Sequence, residues 1–163
     1  MNPLLDYFWP IAAFALPLGV IFGTLWFRRE RRAFVVTGVA LAVAGAIAWH
    51  GPFGAADRFV DRIEPTARAV LVDWEVPRVQ ARLHHGPLTR RLMLSGPADN
   101  FQRRELVRMM GSMPGVSRAT WSNRSGVPLI VEAALVSMIG FLVGLLLAYL
   151  FELHRRHNAQ WKW

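Results

Sequence analysis

One carboxylate lies inside a long apolar segment of the sequence. Glu132 is the single charged residue between Val127 and Phe151. An ionisable side chain at such a position is costly to bury and commonly marks a proton or ion pathway. Proton transfer would need a second buried polar partner, and the other apolar segments offer Thr24 and Thr37 alone. The alternative, that Glu132 reaches the headgroup layer or pairs with an arginine, is favoured because it lies near the outer end of its segment.

The histidines and the remaining carboxylates do not have the spacing of a catalytic or metal site. His154 and His157 are three residues apart, but Glu152 is the one nearby carboxylate that could complete a zinc shell. His50 ends an apolar segment and is interpreted as an interfacial histidine. The chain has no cysteine, no glycine-rich phosphate loop and no nucleophile motif. We therefore expect no catalytic residue, no metal site and no cofactor, in a protein that is not an enzyme.

Three apolar segments dominate a chain that is 53% hydrophobic and 18% charged. Residues 8–27, 33–49 and 127–151 would be about 25–37 Å long as helices, against a hydrocarbon core of about 30 Å. All three are predicted to be transmembrane helices. The expected organisation is a first transmembrane helix with a basic loop (residues 1–32), a second transmembrane helix (33–50), an extramembrane domain (51–126), a third transmembrane helix (127–152) and a basic tail (153–163).

Arginine placement predicts the orientation in the membrane. The sequence FRRERRAF, residues 27–34, puts four arginines between the first two segments, and Arg155, Arg156 and Lys162 follow the third. Short loops rich in arginine and lysine stay in the cytoplasm, whereas long segments cross the membrane largely regardless of charge. The first loop and the C-terminus are therefore expected inside, and the N-terminus and residues 50–126 outside.

A row of small residues marks one side of the third apolar segment. In a membrane, such a row lets helices approach closely, and here it contains a G-x-x-x-G match. The second segment offers two complementary rows, either Gly38, Ala42 and Ala46 or Ala40, Ala44 and Ala48. The partner is either this chain or another subunit. The predicted packing interface consists of Ser137, Gly140, Gly144 and Ala148.

Residues 51–126 have the pattern of a small α+β domain. A helix is expected over about residues 57–72, broken or kinked at Pro65, followed by two strands around a His-Gly-Pro turn. Asp99 and Gln102 predict a capping box that starts a second helix, which Gly111 ends. The predicted order is helix, strand, strand, helix, strand. Predicted inward side chains are Leu88, Leu92 and Leu94 on the second strand and Phe101, Leu106, Val107 and Met110 on the second helix.

This order and two glycine motifs resemble the BON-domain family over about residues 60–122. Leu94-Ser95-Gly96 corresponds to the end of a strand, and Pro114-Gly115-Val116 corresponds to the start of the last one. The resemblance implies a non-catalytic αβ sandwich that contacts phospholipid or other envelope components. It also implies a bacterial inner-membrane protein with residues 50–126 in the periplasm. The predicted fold is therefore membrane α-helical, with three transmembrane helices and a small α+β BON-like extramembrane domain.

The extramembrane region is basic, with 12 arginines against seven acidic residues. These arginines form either a solvated surface or a contact for anionic lipid or a partner, where each adds about 1 kcal/mol. We expect membrane and membrane-protein partners and no nucleic acid. The expected function is that of an accessory, assembly or stabilising subunit of a larger complex, such as a respiratory or photosynthetic assembly, and the alternative is a stand-alone lipid- or envelope-binding protein. The predicted basic face consists of Arg58, Arg62, Arg90, Arg91, Arg103 and Arg104.

Overall fold

The structure, a computed structural model, describes residues 2–124 and 126–160, with side chains as far as Asn158. The described residues divide into two compact units. The αβ unit comprises Gly54–Glu132 with the residues up to Tyr7, and the helical unit comprises Phe8–Phe53 with the residues from Ala133 onward. The elements within these residues are α1 (Pro3–Arg29), α2 (Ala33–His50), α3 (Ala55–Asp73), β1 (Gln80–His85), β2 (Leu88–Ser95), α4 (Asn100–Gly111), β3 (Arg118–Thr120) and α5 (Leu129–Gln160).

Three of the helices, α1, α2 and α5, are long and apolar enough to cross a membrane, as predicted. α1 begins five residues earlier than the apolar segment. Pro3 suits the first turn of a helix, and the Asn2 side chain accepts a hydrogen bond from the Leu4 amide at 3.1 Å. α5 continues beyond Phe151 to Gln160 because no glycine or proline interrupts it. Lys162, Trp161 and Trp163 lie outside the described residues.

The helical unit has two parallel helices and one antiparallel helix. Along α5, Gly140 lies beside Ala12, Gly144 beside Leu16, and Ala148 beside Gly23, so α1 and α5 run in the same direction. α2 runs the opposite way. The first residues of α1 and α5 and the last residues of α2 therefore lie at one end of this unit. The arginine-rich turn between α1 and α2 and the C-terminal part of α5 lie at the other.

A three-stranded sheet in the order β1-β2-β3 is the centre of the αβ unit. β1 and β2 are antiparallel and pair Leu83 with Leu92, whereas β2 and β3 are parallel and pair Leu92 with Ala119. α4 makes the crossover that parallel strands require. The order helix, strand, strand, helix, strand is confirmed. Buried side chains at helical spacing cover the sheet: Phe59, Ile63, Ala67 and Leu71 from α3 and Leu106 and Met110 from α4.

Of the two outcomes predicted at Pro65, a break was wrong, because α3 runs through this residue from Ala55 to Asp73, and a kink stays a prediction. A proline inside a helix costs about 3 kcal/mol. Burial of the four apolar side chains of α3, at about 1.5–3 kcal/mol for each large one, exceeds that cost. The helix is therefore maintained by its tertiary contacts.

Two predicted inward positions were also wrong. Phe101 is 67% exposed. At about 100° per residue it points roughly 140° away from Leu106, so it lies off the buried face of α4. On β2, Leu88 is half-buried and Thr89 is completely buried instead. The ladder shifts register between Leu83 and His85, which changes the residues of β2 that face inward.

Candidate functional site

The single carboxylate of the third apolar segment belongs to an ion pair within the αβ unit. Glu132 lies in the first turn of α5, and Arg90 projects from β2. Arg90 Nη1 donates to Glu132 Oε2 at 2.9 Å, and the two side chains are 21% and 24% exposed. Of the two roles considered for Glu132, pairing with an arginine is the one observed. Its negative charge is therefore compensated within the chain.

A second ion pair joins the first turn of α1 to the αβ unit. Arg62 of α3 donates to the carboxylate of Asp6. The neighbouring Tyr7 ring is buried and packs edge-on against Phe59, with ring centres 5.7 Å apart. A carboxylate in the first turn of a helix also interacts favourably with the helix dipole. The αβ unit thus holds the first turns of both α1 and α5 by an arginine–carboxylate pair.

Arg103 is also engaged within the αβ unit. Its guanidinium lies 5.0 Å from the ring centre of Trp121, and its Nε donates to the Ala98 carbonyl at 3.1 Å. In return, the Trp121 indole donates to the Arg103 carbonyl at 3.2 Å. This reciprocal contact connects α4 to the segment after β3. Arg103 therefore stabilises the fold, whatever else it contacts.

The remaining predicted basic residues are spread around the αβ unit. Arg91 is half-buried, whereas Arg58 and Arg104 are exposed. α3 packs beside β1 and α4 packs beside β3, so Arg58 and Arg104 belong to helices beside opposite edges of the sheet. A role for the predicted basic face in lipid or partner contact stays a prediction.

The small-residue row of α5 packs against α1 of the same chain. A Cβ built on Gly144 would lie 2.1 Å from the Leu16 carbonyl oxygen, and one on Gly19 would lie 2.1 Å from the Phe141 carbonyl oxygen. A Cβ built on Gly140 would lie 3.2 Å from the Ala12 carbonyl oxygen. A Cβ could not lie so close to these oxygens. The two helices approach each other this closely because glycine has no Cβ. The structure therefore brings α1 and α5 into direct backbone contact.

Ser137 joins α5 to α2. Its hydroxyl is fully buried and donates to the Ala42 carbonyl at 2.7 Å, which satisfies the polar group. One turn further along α5, the Phe141 ring fills the space beside Gly38. Of the two rows considered on the second segment, the one that faces α5 is therefore Gly38, Ala42 and Ala46, and these residues are buried.

Sequence reasoning missed the small residues of α1. Ala15, Gly19 and Gly23 are buried and are spaced four apart, which is the same small-x-x-x-small pattern as in α5. That spacing is visible in the sequence and could have identified α1 as the helix that packs against the row. The pattern was overlooked because large apolar residues lie between these small ones, so the whole segment was interpreted only as an apolar span.

Sequence reasoning also missed a groove of about 570 Å³ between α3 and β1. Its apolar lining includes Leu71, Val72 and Val79. The Glu64 carboxylate at this groove accepts a hydrogen bond from the Leu83 amide at 2.9 Å and lies 3.1 Å from His85 Nε2. No periodic signal marks a groove, because it arises from the packing of a helix beside a strand.

The two glycine motifs behind the BON resemblance have a structural explanation. Gly96 has φ +128° and Gly115 has φ +98°, both in the region that favours glycine. A Cβ on Gly96 would lie 2.6 Å from the Arg78 carbonyl oxygen, and one on Gly115 would lie 2.3 Å from Ile63 Cδ1. Compared with known proteins, the chain matches no family model, no curated protein and no solved structure.

Proposed function

We propose that this chain is a non-catalytic accessory, assembly or stabilising subunit of a larger bacterial inner-membrane complex, such as a respiratory or photosynthetic assembly. In this proposal α1, α2 and α5 cross the membrane, and the αβ unit is a BON-like periplasmic domain. The N-terminus is periplasmic, and the C-terminus is cytoplasmic.

The observation that carries the proposal is the ion pair between Glu132 and Arg90. The residue that could have served proton transfer is paired with Arg90 at 2.9 Å and fastens β2 to the start of α5. Ser137 is likewise used in packing, through its bond to the Ala42 carbonyl. The polar groups in these contacts assemble the chain itself, as expected of a scaffold.

The outer faces of the helices supply surface for partners. Large apolar side chains such as Leu41 on α2 and Ile139 and Leu142 on α5 are 45–61% exposed. Among the described residues of the helical unit, none covers the exposed part of these side chains, so either lipid or the helices of other subunits must surround it. A subunit of a complex would bury part of this surface against its partners.

The alternative is a stand-alone phospholipid- or envelope-binding protein. The feature that favours it is the excess of arginine in residues 50–126, because basic residues near an anionic surface attract it. Under this alternative the helices are anchors, and the chain works alone or as a homo-oligomer.

Affinity purification separates the two functions. The full chain carries a C-terminal tag, is extracted in a mild detergent, and its stoichiometric partners are identified by mass spectrometry. A defined set of larger membrane subunits is expected. Recovery of the chain alone, or with bound lipid, would overturn the accessory function and favour the alternative.

A further inference from the structure

Six arginines lie at one end of the helical unit. Four of them belong to the last turn of α1 and to the turn before α2, and two follow the apolar part of α5. All six residues are exposed. They form the arginine belt, which consists of Arg28, Arg29, Arg31, Arg32, Arg155 and Arg156.

The arginine belt occupies one level along the helix axes. A Cβ built on Gly23 would lie 2.9 Å from the Ala148 Cβ, so these two residues are at the same height on α1 and α5. At about 1.5 Å per residue, Arg28 lies about 7.5 Å beyond that height and Arg155 lies about 10.5 Å beyond it. The turn between α1 and α2 follows Arg29 directly. The arginines of both helices are therefore within about one helical turn of each other along the axis.

An aromatic layer lies immediately before the arginine belt. Trp26 and Phe27 of α1 have ring centres 4.7 Å apart, and Phe27 and Tyr149 of α5 have ring centres 5.7 Å apart. Tryptophan and tyrosine are enriched at the headgroup level of a membrane. For helices that cross a membrane, the next turn, which carries the arginine belt, lies among the lipid phosphates.

The carboxylates of the helical unit do not neutralise the arginine belt. Glu30 and Glu152 are the two carboxylate side chains among the described residues of this unit. With both of them counted as charged, the six arginines leave an excess of four positive charges. The end of the helical unit is therefore strongly basic.

Glu152 holds two of the arginines in place. It is 7% exposed, and its Oε1 accepts from Arg155 Nη2 at 2.9 Å and from Arg156 Nε at 3.3 Å. The two arginine side chains are still 56% and 67% exposed. One carboxylate thus fixes two guanidinium groups that keep part of their surface open to an anion.

The arginines before α2 do not stabilise that helix. A positive charge near a helix N-terminus interacts unfavourably with the helix dipole. Arg31 and Arg32 precede Ala33, the first residue of α2, and the first turn of α2 contains no acidic residue. Neither arginine has an ion-pair partner among the described residues. Their charge is therefore available to an anion outside the chain.

We propose that the arginine belt binds the headgroups of anionic phospholipids, such as phosphatidylglycerol, in the leaflet at this end of the helices. Basic residues near an anionic membrane surface attract it, and their contributions add. The aromatic layer favours lipid over a soluble anion or an acidic partner segment, because it marks the level at which phosphates surround a helix. The inference rests on the membrane crossing in the proposed function, and it holds for an accessory subunit and for a stand-alone protein alike.

The test counts the lipids bound to the full chain in a mild non-ionic detergent by native mass spectrometry. Phosphatidylglycerol and phosphatidylcholine with identical acyl chains compete, so their binding differs through the headgroup alone. A preference for phosphatidylglycerol of about five- to twentyfold is expected, since each basic residue near an anionic surface contributes about a fivefold factor. Equal binding of the two lipids, or displacement of phosphatidylglycerol by an equal concentration of inorganic phosphate, would overturn the proposal.

Substitutions then locate the preference on the chain. Arg31→Gln/Arg32→Gln should lower it about three- to tenfold, whereas Arg31→Lys/Arg32→Lys keeps both charges and should stay within about twofold of the unchanged chain. The matched control Arg104→Gln/Arg108→Gln removes two exposed arginines from α4 of the αβ unit and should have no effect. Phosphatidylcholine binding should be the same in every variant.

Three results in these variants would each contradict the assignment. The first is an equal loss of preference in Arg31→Gln/Arg32→Gln and in the α4 control, which would show that the position of the charges does not matter. The second is a loss in the lysine variant as large as in the glutamine variant, which would show that charge is not the cause. The third is a parallel loss of both lipids, which would show that the headgroup is not recognised.

Failure of this inference can be distinguished from failure of the proposed function. If the chain stays in membranes washed with alkaline carbonate but binds both lipids equally, the membrane crossing is supported and the lipid site is wrong. If the chain purifies alone but prefers phosphatidylglycerol through the arginine belt, the lipid site holds and the accessory function is wrong. If Arg31→Gln/Arg32→Gln loses stoichiometric partner subunits and keeps the lipid preference, a partner protein is the occupant and the lipid assignment is wrong.

Discussion

Arg90 Nη1 lies 2.9 Å from Glu132 Oε2, and this pair connects β2 to the first turn of α5. Removal of one partner leaves the other charge partly buried and uncompensated. Glu132→Gln and Arg90→Gln should each lower the free energy of unfolding by about 1–3 kcal/mol. The double variant should lose less than the sum, because each single change already breaks the same contact. Tryptophan fluorescence during thermal unfolding in detergent measures these effects.

Glu105→Gln is the control for that pair. Glu105 is exposed on α4 and has no ion-pair partner among the described residues, so its substitution should change stability by less than about 0.5 kcal/mol. Strictly additive losses in the double variant would show that Arg90 and Glu132 are not coupled.

Gly144 and Gly19 should be intolerant of even a methyl group. In both positions an added Cβ meets a backbone carbonyl at 2.1 Å, so α1 and α5 must move apart. Gly144→Ala and Gly19→Ala should each destabilise the helical unit by about 1–3 kcal/mol. Gly51→Ala is the matched control, because the nearest atom to its Cβ would be 3.7 Å away. The measurement is the unfolding temperature in one detergent, and equal values for Gly144→Ala and Gly51→Ala would contradict the observed contact.

Gly96 and Gly54 should respond differently to the same substitution. Gly54 has φ +66°, no atom of the described residues lies within 4 Å of an added Cβ, and asparagine tolerates that left-handed conformation. Gly96 has φ +128° and approaches the Arg78 carbonyl, which asparagine cannot accommodate. Gly96→Asn should cost about 1–3 kcal/mol, and Gly54→Asn should be nearly neutral. Protease resistance of the αβ unit during heating measures the difference, and a stable Gly96→Asn variant would refute it.

The absence of cysteine from the chain makes the proposed topology directly testable. Asn123→Cys and Asn158→Cys introduce single thiols at exposed positions in the αβ unit and near the end of α5. In spheroplasts, a membrane-impermeant maleimide should label Asn123→Cys at once, and it should label Asn158→Cys after permeabilisation alone. The reverse pattern would invert the proposed orientation, and labelling of both in intact spheroplasts would contradict three transmembrane crossings.

Local features of the αβ unit were predictable because they depend on neighbouring residues. The capping box between Asp99 and Gln102 forms as expected, with the Gln102 amide 2.7 Å from Asp99 Oδ1. The turn at Gly86-Pro87 and the end of α4 at Gly111 also agree with prediction. Each arises from the intrinsic conformational preference of one to four adjacent residues.

The three apolar helices were predictable, because a length of apolar residues is a property of consecutive positions. Two pairings depend on the folded chain and could not be predicted: Glu132 pairs with Arg90, 42 residues away, and Ser137 bonds to Ala42, 95 residues away. Periodicity tells which face of a helix is apolar or small but not which distant element covers it. For the same reason Pro65 remains inside α3, since packing against the sheet outweighs a local preference.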